Sequence, residues 1–315
     1  MAEIITMGEP MVVLIPQEEG PFAEVGLFSK GAAGAELNVA IGASRLGHSV
    51  RYISRLGRDF LGEYLLEVMK REGLDVSAVS TETDRLTGFY FKTKVPSGDP
   101  QVFYMRKNSA ASGLSPADVT PERLQGARFF HLTGITAAVS ASCLQACRRA
   151  KVLAREQGLQ VTFDPNLRPA LWRSEEEMIS SLNGLAEGCD YILPGVAEGR
   201  LLTGCDTLEG IADFYLERGV KAVIVKNRSE GAYYKTAAGE CSRIPGFHVK
   251  RIVDTVGAGD AFSVGVLTGL TEGLPLSEAV RRGNAMGAIM ITSAGDNDAL
   301  PGREELIRFM EEAEV

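Results

Sequence analysis

Residues 252–262 read IVDTVGAGDAF, which sets a carboxylate, a glycine turn and the start of a helix within eleven positions. Ile252 and Val253 read as the end of a buried segment, and an apolar helix carried by Ala261, Val264, Val266 and residues 267–270 begins near Gly257. Gly257 and Gly259 have no Cβ, so the chain can take positive φ there and a ligand can come close to the backbone. The amide N–H groups of a helix start, together with the local dipole, make an anion site, and phosphate is its natural occupant. Asp260 lies in that first turn and would repel a phosphate, so anion binding alone does not account for it. A general base does, because a carboxylate can take a hydroxyl proton while neighbouring amides hold a phosphoryl group. The plainer reading has Asp254 capping the helix and the glycines only turning the chain.

Two familiar glycine motifs fail here. A Walker A loop needs a lysine after its last glycine, and none follows; the dinucleotide fingerprint GxGxxG has Phe262 at its third glycine, which argues against a dehydrogenase. The full string DTVGAGDAF resembles the C-terminal signature of the PfkB, or ribokinase-like, family of carbohydrate kinases. The resemblance implies an α/β ribokinase-like fold, a mostly parallel central sheet flanked by helices with a small β lid. It also implies ATP and Mg2+ as cofactors, and leaves open K+, which some related kinases use beside the anion hole. Carried over, Asp260 is the catalytic base, Gly257, Ala258 and Gly259 form the anion hole, and Asp254 supports the site.

The bulk of the chain agrees with an enzyme of small molecules. Its 315 residues can bury a large core. With 33 basic and 41 acidic residues the formal charge is −8, and no basic block offers a nucleic-acid surface. No apolar run approaches the length that crosses a bilayer, and MAEIITMGEP lacks the regions of a signal peptide, so no membrane and a cytoplasmic location are expected. Cys143, Cys147, Cys189, Cys205 and Cys241 contain no CxxC pair, and the three histidines are scattered, which speaks for structural thiols rather than a metal cluster.

Short apolar runs alternate with helical patterns, the sign of βαβ units and a parallel sheet. IITMG near residue 4 is the first strand; residues 35–46 and 60–71 read as helices stopped by Gly47 and Gly73. FFHLTG, VTFDPN, YILPG and AVIVKN are further buried strands, Ser174 with Glu177 suggests a capping box, and Thr120 with Pro121 a helix start. Residues 11–30 and 87–106 break the alternation. The second of these has TGFYFKTKV and QVFYMR flanking a PSGDP turn, the composition of a hairpin. By the resemblance these insertions form the lid of one domain spanning residues 1–315; otherwise they extend a sheet edge or make a dimer contact, and a homo-oligomer through the lid follows from the latter.

GAAGAELNVAIGASRLG, residues 31–47, is similar to the family's N-terminal signature at Gly34, Asn38, Leu46 and Gly47, with Ala33 in place of a glycine. Carried over, Gly34 and Asn38 contact sugar hydroxyls. In VFYMRKNSAAS, residues 102–112, a strand period of two places Tyr104 and Arg106 on one face, and Tyr90 of the preceding strand can join them. Arg168, in FDPNLR, follows a strand whose carboxyl end faces the usual crevice of an α/β sheet. Two arginines exceed what a neutral sugar needs, and a guanidinium holds a carboxylate through paired hydrogen bonds, which favours a sugar acid. GEPMVVLIP, GAELN, VFYMRKNSA, HLTGIT and FDPNLRPALW together resemble the 2-keto-3-deoxygluconate kinases within the family. That narrower resemblance implies Gly34, Tyr90, Tyr104, Arg106 and Arg168 on the substrate and Asp260 on its 6-hydroxyl.

On the nucleotide side, LPGVAE resembles the family's NxxE motif with Gly195 for asparagine, and Glu198 matches the position that organises magnesium. VKNRSEGA is similar to the family's KxGxxG nucleotide loop at Lys226 and Gly231, with Arg228 for a glycine, and Asn284 matches a position near adenine. Other readings are a kinase of a neutral ketose such as fructose, and a catalytically silent sugar-acid binder.

Overall fold

The computed structural model describes residues 2–94, 101–292, 295 and 297–312. The strands among them are β1 (Ile4–Met7), β2 (Met11–Pro16), β3 (Phe28–Ala33), β4 (Val50–Gly57), β5 (Val79–Glu82), β6 (Phe89–Lys92), β7 (Val102–Met105), β8 (Phe129–Thr133), β9 (Gln160–Asp164), β10 (Tyr191–Ile192), β11 (Ala222–Lys226), β12 (Ala232–Thr236) and β13 (Cys241–Ile244). Nine of them form one sheet in the order β13-β12-β11-β10-β9-β8-β1-β4-β5. Every pairing from β11 across to β5 is parallel, and β12 and β13 add an antiparallel edge. The fold is the α/β architecture that the alternation predicts.

Strands covered by helices on both faces must be apolar on both, and β1 and β8 are buried along their whole length. Successive side chains serve opposite cores. Ile5 and Met7 join Phe130, Leu132, Val161 and Phe163 beneath the helices Ala141–Glu156 and Glu175–Ala186, while Ile4 joins Phe129 and Tyr52 beneath Ala35–Arg45 and Ala258–Thr271. Cys143 and Cys147 share the first core, and burial pushes the Cys143 thiol up to about 11, as suits a packing residue. Ser174 accepts the amide of Glu177, and Pro121 opens a short helix after Thr120.

The chain leaves β1 for β4 on one side and later returns to β8 on the other. Strand order therefore reverses between β1 and β8, and an open α/β sheet has its crevice at the carboxyl ends of such strands. Over that crevice the two insertions build a second sheet, ordered β3-β2-β6-β7, with β2 parallel to β6 and its other pairings antiparallel. The PSGDP turn lies outside the described residues. One expectation is corrected: Ile252 and Val253 are 63 % and 46 % exposed, in a segment without a strand before the glycine turn. Their apolar character is spent on a loop beside the site, where the Val253 amide donates to the carbonyl of Ile291 at 2.8 Å.

Candidate active site

The helix Ala258–Thr271 is buried along most of its length, which fixes its first turn against the crevice. Gly257 is its N-cap at φ 77°, a left-handed conformation that a side chain would oppose. Ala261 is the first residue whose amide reaches back to the Gly257 carbonyl, at 2.8 Å; the amides of Gly259 and Asp260 precede it, where a helix has no i−4 partner to offer.

Asp260 emerges from that turn into an open cavity. Its carboxylate is held from two sides, by the Asn38 amide at 2.8 Å and the Asn166 amide at 3.2 Å. Burial pushes its pKa up to about 7. The neighbouring carboxylates of Asp164 and Glu36 add to the rise, and the Asn38 hydrogen bond and the Lys226 ammonium oppose it. A carboxylate at that poise is matched to proton transfer near neutral pH.

All the substrate-side candidates meet here. Gly34, Asn38, Tyr90, Tyr104, Arg106, Arg168, Gly257 and Asp260 line the one cavity, although the sequence spreads them over more than two hundred positions. Gly34 has φ 130°, and a Cβ on it would lie 2.6 Å from the Glu9 carbonyl. Tyr90 and Tyr104 are register partners in β6 and β7 with ring centroids 5.2 Å apart. Asn38 is engaged with Asp260 and is itself set by Asn297, whose amide donates to its Oδ1 at 3.2 Å.

The two arginines differ. Arg106 is buried and ion-paired to Glu9, its Nε donating to Oε2 at 2.8 Å. Arg168 is exposed and donates to the carbonyl of Leu167 at 2.8 Å; no ion pair to it occurs among the described residues. It caps the short turn Pro169–Leu171, and the half-buried Trp172 that follows packs on the main core.

Lys226 ends β11 and turns inward, its ammonium 2.7 Å from Asp164. Burial works against that charge, but the carboxylates of Asp164, Glu198 and Asp260 outweigh it and hold the pKa above the usual lysine value. A Cβ on Gly259 would lie 3.7 Å from the ammonium, which therefore sits behind the glycine turn. Glu198 accepts the amides of Leu167 at 2.9 Å and Gly195 at 2.7 Å, capping its own helix. Among the described residues no three His, Cys, Asp or Glu side chains converge as a metal cage. Asp164 and Glu198, the carboxylates beside Lys226, are oxygen donors of the kind of which Mg2+ takes one or two besides substrate phosphates.

Arg228, Gly231 and Asn284 gather elsewhere, around the end of β13. The Asn284 amide donates to the carbonyls of Ile244 and Pro245 at 3.1 and 3.0 Å, and a Cβ on Gly231 would strike that same Ile244 carbonyl. Arg228 has φ 52°, which explains why a glycine suits its position.

Several residues of the site carry no local signal in the sequence: Glu9 after β1, Glu36 in GAELN, and Asp164 and Asn166 in FDPN. Glu36 is buried, and Thr133 and Thr136 both donate their hydroxyls to it; burial raises its pKa against those two hydrogen bonds. The usable cue was position, since Glu9 and Asp164 stand at the carboxyl ends of β1 and β9, beside the strand reversal.

Known proteins resemble this chain in sequence and in fold. The 2-dehydro-3-deoxygluconokinase of Bacillus subtilis (strain 168) is 46 % identical over 309 residues, covering 98 % of this chain and 95 % of that protein. Fructokinase-1 of Oryza sativa subsp. japonica is more distant, at 32 % identity with 98 % of each chain covered. Among solved structures, a PfkB protein from Polaromonas sp. JS666 superposes with a TM-score of 0.90 at 46 % identity, covering 98 % of this chain and 99 % of that one. A Ribokinase II from E. coli, solved in complex with ATP and Mg2+, also gives 0.90, at 28 % identity with 99 % and 100 % covered. With a pfkB family carbohydrate kinase model matching residues 1–303 and a cavity assembled from both ends of that span, the chain belongs to the pfkB family of carbohydrate kinases.

Proposed function

We propose that this carbohydrate kinase phosphorylates the 6-hydroxyl of 2-keto-3-deoxygluconate with ATP. That it is a phosphotransferase acting on a sugar hydroxyl follows from its family and its kinase relatives. The acid substrate rests chiefly on one observation: Arg168, without an ionic partner among the described residues, lines the same cavity as Asp260. A carboxylate at one end of the sugar and the reacting alcohol at the other match that pair. The relative at 46 % identity bears the corresponding name.

Asp260 takes the proton of the 6-hydroxyl while the γ-phosphoryl group passes in line from ATP to that oxygen, giving the 6-phosphate and ADP. Asn38 and Asn166 aim the base. Amides of Ala258, Gly259 and Asp260 receive the charge that spreads over the phosphoryl oxygens, and Lys226 balances it from behind the turn. Mg2+ held through Glu198 would neutralise nucleotide phosphates. Lys226, Arg228, Gly231 and Asn284 serve the nucleotide side, and Tyr90, Tyr104, Gly34 and Arg106 the sugar.

The chain acts as one domain in which residues 11–30 and 87–106 form a lid that keeps water from the phosphoryl group. Edge strand β7 exposes Val102–Met105 along its length, a surface suited to a second copy of the chain. Dependence on cellular ATP fits a cytoplasmic location, and among the described residues no helix is long and apolar enough to cross a membrane. Coupled ADP release with 2-keto-3-deoxygluconate, gluconate, fructose and ribose tests the substrate, and K+ against Na+ in that assay tests a monovalent requirement. Turnover confined to the keto-deoxy acid is expected; preference for fructose would overturn the reading.

A further inference from the structure

Glu9 follows β1 at the carboxyl edge of the main sheet, lines the cavity and is 3 % exposed. All four strands of the small sheet attach beside it. β2 begins two residues later at Met11, and β3 leads into Gly34, whose absent Cβ makes room for the Glu9 carbonyl. β6 starts after Gly88, where a Cβ would lie 2.6 Å from Glu9 Oε1. β7 leads into Arg106 and Ser109, which contact Oε2 and Oε1 respectively.

A carboxylate at this depth is costly unless it is paired, and Arg106 supplies the charge. A guanidinium has five N–H donors in a rigid fork. Glu9 Oε2 takes both Nε and Nη2, which form one edge of that fork, and so holds that edge, while Ser109 holds Oε1. Among the described residues no other side chain takes the opposite edge, and Arg106 lines the cavity.

We propose that Glu9 is a positioning residue for acid recognition: it clamps one edge of Arg106 so that the other meets the substrate's carboxylate, and the clamp is complete only with the small sheet seated. This rests on the sugar-acid reading above. Removing the Glu9 charge has two opposed effects. It leaves Arg106 uncompensated, which draws an acid in, and it frees the fork, which spoils paired hydrogen bonding. Positioning dominates here because paired recognition depends on the plane of the fork as well as on its charge.

The test compares 2-keto-3-deoxygluconate with 3-deoxyfructose, which carries an alcohol in place of the carboxylate, in wild type and Glu9→Gln. The neutral sugar is read by its KM or, if it is not turned over, by its inhibition constant. The expected result is a rise of about tenfold or more in KM for the acid, with the loss in KM rather than kcat and the neutral sugar unshifted. Ser109→Ala, which removes only the contact to Oε1, should give a smaller rise of the same kind and carries the test if Glu9→Gln does not fold. A fall in KM for the acid, or a parallel rise for both sugars, overturns the proposal. A wild type inert towards the acid overturns the sugar-acid reading as well; an active wild type with unshifted variants overturns only the role of Glu9.

Discussion

Asp260→Asn should make this protein inactive and, at alkaline pH, more stable. The folded protein raises the Asp260 pKa from 3.8 to about 7, chiefly through burial. Three units at ~1.4 kcal/mol each mean that keeping this carboxylate ionised costs the fold roughly 4 kcal/mol. The sign follows from the proton. Below pH 3.8 both folded and unfolded chains hold it and nothing is lost; the cost then grows with pH and is complete once pH has passed about 7. Asparagine removes that cost but turns an NH2 towards one of the two amides that now donate to Asp260, a mismatch of about 1–3 kcal/mol. The variant should therefore gain about 1–3 kcal/mol at pH 8 and change by no more than about 1 kcal/mol in either direction at pH 5, where the folded carboxyl keeps its proton at a cost of only about 2 kcal/mol. Urea unfolding at the two pH values reads the difference, and coupled ADP release should show turnover reduced by about a hundredfold to ten-thousandfold. In the wild type, kcat/KM should fall below about pH 7 as the base gains its proton. A stability difference independent of pH would refute a proton-retaining Asp260, and near-normal turnover would remove it as the base.

Arg168→Ala should raise KM for the sugar acid by about tenfold to a hundredfold, the worth of one charge-assisted contact, and leave the melting temperature unchanged because the side chain is exposed. An unaltered KM would detach Arg168 from the substrate. Lys226→Met strands the buried carboxylate of Asp164, so stability should fall by up to about 3–5 kcal/mol together with kcat. Urea unfolding and single-turnover kinetics check both, and a stable variant would show Asp164 adequately held by the Ser263 hydroxyl, which donates to it at 2.9 Å.

The glycine turn and the carboxylate beside it were legible because a helix start and its first side chains lie within a few consecutive residues. The parallel sheet was legible from apolar runs such as FFHLT, buried on both faces. What escaped were partnerships. Arg106 and Glu9 stand 97 positions apart, and Asn38 and Asp260 stand 222 apart. No local period tells an arginine whether its charge will meet a substrate or a buried glutamate. Asn38 was matched to a sugar contact through its family likeness, and no local pattern shows that its amide also meets Asp260, on a helix from the far end of the chain. Ile252 and Val253 misled for the opposite reason, since two apolar residues before a turn look alike whether they end a strand or lie open in a loop.

Trp172 is the single tryptophan of the chain and stands four positions after Arg168, at the end of the turn that this arginine caps. An indole so placed is a native optical gauge of that turn. If the proposed acid draws Arg168 and this turn with it, the polarity around the ring should change, and stopped-flow fluorescence would then time docking of the sugar separately from phosphoryl transfer, with no label introduced.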